Sequence, residues 1–102
     1  MEPREVTSAW FKNLRDEICS KVEEIEASYA KEHNLEFAKF QRKSWERDGC
    51  GGGTMSIIHG NVFEKMGVNI SNVYGEFSEK MRKEIPGADE NPEFFATGIS
   101  LV

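Results

Sequence analysis

At 102 residues, with 38% hydrophobic and 30% charged side chains, the chain suits a single domain with its own core, and the balance argues against disordered, collagen-like and membrane classes. A formal net charge of -5 argues against non-specific nucleic-acid binding, which depends on neutralising phosphates, yet it leaves room for a locally basic site. Cys19 and Cys50 show neither metal-ligand spacing nor a disulfide framework, the start lacks a signal-peptide apolar run, and no segment is long enough to span a membrane, so a reduced, cytoplasmic setting is expected.

Trp10, Leu14, Ile18, Val22, Ile25 and Tyr29 recur in steps of three or four. This spacing predicts an amphipathic helix over about residues 8–30, with that stripe on the core and Thr7 and Ser8 as N-terminal caps. His33-Asn34 ends the pattern. Leu35 to Phe40 is ambiguous, with Phe37 and Phe40 as candidate core anchors. Arg42, Lys43 and Arg47 then surround Trp45, a basic patch able to meet ligand carboxylates, although a solvated loop or strand face is the simpler reading.

Gly51-Gly52-Gly53 reads as a bend or a close approach rather than strand interior, because glycine loses the most backbone freedom and has nothing to pack. A phosphate-cradling loop needs a following lysine and helix, and neither is present. Cys50 has no neighbouring base and reads as inert. Alternation predicts strands at about 54–59 and 62–74, joined by a tight turn at His59-Gly60-Asn61 with Gly60 at positive φ. In the second strand Val62, Met66, Val68 and Ile70 form the apolar face. His59, lacking a second ligand nearby, reads as structural or exposed.

Ser78 is a candidate cap for a short helix over about 79–85, stopped by Pro86-Gly87, and residues 94–102 read as a strand rich in aromatic and β-branched side chains. The apolar ending Leu101-Val102 suggests further protein beyond it, the alternative being a C-terminal edge strand. These elements imply an α+β fold: an antiparallel sheet covered by helices, here with an N-terminal helix and the first strands of a larger sheet.

Taken together, Trp45-Glu46-Arg47, Cys50-Gly51-Gly52-Gly53, the run Val62 to Ser71, Val73-Tyr74-Gly75 and the run Phe95 to Val102 resemble the oxygen-dependent coproporphyrinogen-III oxidase family. The resemblance covers nearly all of residues 1–102, as the N-terminal portion of one oxidase domain. It implies an enzyme of heme biosynthesis that oxidatively decarboxylates two propionates of coproporphyrinogen-III to vinyl groups, giving protoporphyrinogen-IX, with molecular oxygen as acceptor. It also implies no organic cofactor, a homodimer, and in some members a divalent metal held by histidines that match no position here. The family serine that contacts substrate matches Ser100, whose hydroxyl can bond a propionate or a pyrrole N–H. The family usually has glycine where Cys50 stands, which would strain the backbone if that position needed a glycine-only angle. A portion of this size is expected to be inactive alone. The competing reading is a non-catalytic remnant or self-pairing module that uses the unpaired edge of its last strand.

Overall fold

A computed structural model describes residues 2–102. The first helix, α1, spans Pro3–His33, starting five residues before the apolar stripe suggests. Pro3 explains the early start: its fixed φ suits the first turn and its missing N–H would have had no partner there. Thr7 and Ser8 are therefore inside the helix rather than capping it, and the Thr7 hydroxyl donates to the Pro3 carbonyl (2.8 Å). Asn34, in the left-handed conformation, closes the helix with its N–H on the Ala30 carbonyl.

Four strands follow: β1 (Gln41–Glu46), β2 (Gly51–Ile58), β3 (Met66–Glu76) and β4 (Glu93–Leu101), with a short helix, α2 (Glu79–Glu84), before the last. They form one antiparallel sheet in the order β1-β2-β3-β4, an α+β architecture in which α1 packs across β3 and β4. Ser78 caps α2, its hydroxyl accepting from the Met81 N–H.

Which side of α1 meets the sheet differs from the expectation. The buried positions are Arg15, Cys19, Val22, Glu26 and Ala30, while Trp10 is 60% exposed and Ile25 47%. Small side chains at Cys19 and Ala30 let the helix approach the sheet closely, so the bulkier stripe is turned partly outward. Only Val22 of that stripe is fully buried. Opposite it, Ser56, Ile58, Val68 and Ile70 complete the core. Phe37 is half exposed and is no core anchor.

Gly51 to Gly53 are strand interior after all, and the reason is the closeness that the glycines permit. A Cβ at Gly51, Gly52 or Gly53 would run into the carbonyl oxygen of Asn72, Trp45 or Ile70, respectively. Cys50 is unstrained, because the positive angles fall on its neighbours Gly49 (φ 70) and Gly51 (φ 97).

Residues 59–65 form a longer loop than the three-residue turn expected, and β3 begins at Met66 rather than Val62. The cause is Glu26. Its carboxylate, fully buried, accepts from the N–H groups of Asn61 (2.7 Å), Val62 (3.0 Å) and Phe63 (2.8 Å), and so draws that backbone away from the strand ladder. Gly60 is required by this contact rather than by a positive φ, since a Cβ there would strike the same carboxylate.

Candidate functional site

Side chains alternate across a sheet, and the unbroken registers assign every strand residue to one of two faces. The covered face carries Ser56, Ile58, Val68 and Ile70 beneath α1. On the same side Arg42 donates to Asp16 of α1 (2.6 Å), and Arg4 lies 4.7 Å above the Phe95 ring.

The open face has a different composition. Of the six strand glycines, Gly51, Gly53, Gly67, Gly75 and Gly98 lie on it and only Gly52 lies on the other. Gly98 has nothing within 4 Å of where a Cβ would stand, so this part of the floor is bare backbone. The Trp45 indole lies across Gly53, which leaves it the room a side chain would fill.

Ser100, the residue singled out in the sequence, stands exposed on this open face. Its cross-strand partner is Asn69, which is paired in turn with Met55 and then Lys43. The adjacent row runs Trp45, Gly53, Ser71, Gly98. Hydroxyl and amide groups are thus set among glycines on one surface, with Trp45 at one side and Ser100 near the β4 edge. At about 4.8 Å per strand, the row from Lys43 to Ser100 extends about 14 Å. Beside Ser100 is a recess of about 340 Å³ lined by Met55, Ile57, Lys65, Gly67, Asn69 and Val102.

The basic patch read around Trp45 is divided by the pleat. Arg42 is turned to α1 and Asp16, Lys43 to the open face, and Arg47 lies in the β1–β2 turn. Burial tends to raise the Asp16 carboxyl, but the guanidinium groups of Arg42 and Arg15 prevail and hold it below its ordinary value. Burial likewise opposes ionisation of Glu26, and the donors from Phe63, Val62 and Asn61 outweigh it, keeping this carboxyl low. Burial pushes the Cys19 thiol up, which suits an inert core cysteine. Asp16, Glu26 and Cys19 all belong to the helix-covered side of the molecule.

His33 bonds the Tyr29 carbonyl (2.9 Å) and stacks on its ring, and His59 is exposed at the end of β2. Among the described residues no three His, Cys, Asp or Glu side chains come together to hold a metal. Among the described residues no helix is long and apolar enough to cross a membrane. Asn69 and Ser71, which sequence reasoning did not single out, share strand parity with Gly67 and Gly75 and form a polar and glycine face alternating with Val68 and Ile70.

Residues 6–102 match the family described as coproporphyrinogen III oxidase. The chain is 64% identical over 99 residues to an oxygen-dependent coproporphyrinogen-III oxidase of Rickettsia bellii (strain OSU 85-389), covering 97% of this chain and 36% of that protein. The corresponding protein of Rickettsia africae (strain ESF-5) is 57% identical over 102 residues, covering 100% of this chain and 37% of the relative. The chain therefore spans a little over a third of the length of the curated relatives it matches. No solved structure matches it. The sequence match over nearly the whole chain establishes that the chain belongs to the coproporphyrinogen III oxidase family.

Proposed function

We propose that this chain supplies part of the substrate-binding floor of an oxygen-dependent coproporphyrinogen-III oxidase, with Ser100 in contact with the tetrapyrrole. The observation that carries the reading is the position of Ser100 on the glycine-paved face rather than under α1. A porphyrinogen is a broad ring bearing pyrrole N–H donors and carboxylate arms. Missing Cβ atoms let such a ring approach the backbone, and the Ser100 hydroxyl can accept from a pyrrole N–H or donate to a carboxylate. In the reaction proposed, each propionate loses carbon dioxide and two electrons with a proton from the adjacent carbon, and one oxygen molecule takes up the electrons and two protons to leave as hydrogen peroxide. No organic cofactor enters this scheme, and a reducing cytoplasmic setting agrees with the two free cysteines.

By register the open face includes neither a histidine nor a carboxylate, and Lys43 is its one ionisable strand residue. The 102-residue chain is accordingly expected to bind the tetrapyrrole without turning it over. Coproporphyrin-III, the stable aromatic form of the substrate, should bind saturably when followed by its absorbance and fluorescence. Ser100→Ala should weaken that binding roughly threefold to tenfold, the worth of one hydrogen bond. Equal binding by Ser100→Ala overturns the role of Ser100, and robust protoporphyrinogen formation by the chain alone overturns its inactivity.

A second reading, self-pairing, is favoured by one feature. Strand β4 is an edge, with Leu101 and Val102 exposed beside it, and an unpaired edge recruits another strand. It would also accommodate a homodimer. Light scattering tests it, and a monomer persisting at high concentration removes it.

A further inference from the structure

We propose that the recess beside Ser100 is a subsite for one carboxylate arm of the tetrapyrrole, with Lys65 as the ion-pairing residue that positions it. This inference rests on the substrate-binding reading above and names a group it did not use. Met55 and Ile57 give the recess of about 340 Å³ an apolar wall suited to methylene groups, and the Val102 side chain closes over Gly67 at one side. Lys65 and Asn69 are its polar lining: an ammonium for a carboxylate, and an amide able to donate to the same oxygens. Among the described residues no carboxylate lies within 4.0 Å of the Lys65 ammonium, whereas the Asp16 carboxylate already engages both Arg15 and Arg42.

The other recesses fit an anionic arm less well. Those at Arg4 include Glu76 and Glu93 on one side and Glu5 on the other, and the one at Arg47 includes Glu46. A carboxylate entering any of them would meet a like charge. The Lys65 recess has a cation and no acidic side chain. It also adjoins the proposed contact residue directly: Asn69 is the cross-strand partner of Ser100, and Val102 is two residues further along the same face. A ring in contact with Ser100 could therefore extend one arm toward Lys65.

The test compares coproporphyrin-III with its tetramethyl ester, which keeps the ring and lacks the charges, on the wild-type chain, Lys65→Gln, Lys65→Arg and Ser100→Ala. Lys65→Gln should weaken binding of the free acid roughly tenfold, Lys65→Arg less than about threefold, and neither should alter binding of the ester. Circular dichroism of each variant should match the wild type, since Lys65 is exposed. Binding of the acid that falls with Ser100→Ala but not with Lys65→Gln overturns the subsite and leaves the floor intact. An equal loss for acid and ester in Lys65→Gln also overturns it, because charge pairing is then not the cause. If the wild-type chain binds neither probe, both the floor and the subsite fail.

Discussion

The two faces of this sheet are built from the same four strands to opposite purposes. Beneath α1, β-branched side chains at Ile58, Val68 and Ile70 are almost wholly removed from water, and the helix contributes small residues that allow close approach. On the reverse, glycines alternate with Asn69, Ser71 and Ser100, and the backbone itself forms much of the surface. Burial stabilises the first face, and the second contributes little to stability beyond its ladder hydrogen bonds. The contrast teaches that one strand can be assigned to both tasks, because the pleat separates them residue by residue. Strand β3 does so most clearly, with Val68 and Ile70 inward and Asn69 and Ser71 outward.

That contrast can be tested by truncating one residue on each side. Ile70→Ala should cost about 3 kcal/mol through lost burial and a cavity under the helix, while Met55→Ala should cost less than about 1 kcal/mol. Urea unfolding of both variants provides the comparison, and similar losses would break it. Next in size is the tie between helix and loop. Glu26→Gln leaves one acceptor oxygen and turns an NH2 toward backbone donors, so a loss of about 2 kcal/mol at pH 7 is expected. The folded carboxyl is held below its ordinary value of 4.5, so its contribution is fully present above that pH and disappears as pH falls through the lower, folded value. The wild type should therefore lose stability in acid more steeply than Glu26→Gln, with the two curves converging at low pH. The smallest effect of all is expected at one of two glycines within the open face. Gly53→Ala forces a Cβ against the Ile70 carbonyl and the Trp45 ring and should cost about 2 kcal/mol, whereas Gly98→Ala, in open space, should change stability by less than about 0.5 kcal/mol.

Much of this architecture is legible in the sequence, and the departures have identifiable causes. Periodicity locates α1, Ser78 marks the start of α2, and alternation gives the strand character around Val68 to Val73. The buried side of α1 was not legible from its apolar stripe. Glu26 is inward because backbone donors distant in the chain satisfy it, and a local period cannot register that. The same long-range contact hides the true start of β3, since Val62 alternates correctly with the strand but gives its N–H to Glu26. The triple glycine was legible as a close approach but not as a strand, because propensity counts the missing side chain and not the neighbouring carbonyls that exclude one. Ser100 was singled out through motif resemblance. Its setting with Asn69 and Ser71 became visible only once the register brought β3 and β4 side by side.

The grip of Glu26 on the 61–63 backbone also joins two parts of the chain in time. Contacts at a separation of 35 to 37 residues cannot form until α1 has met the β2–β3 connection, so this junction closes late relative to the hairpin ladders. The amide protons of Asn61, Val62 and Phe63, though in a surface loop, are shielded from exchange for as long as the helix remains seated. They report its lifting from the sheet more directly than amides within the helix, whose own hydrogen bonds survive that movement.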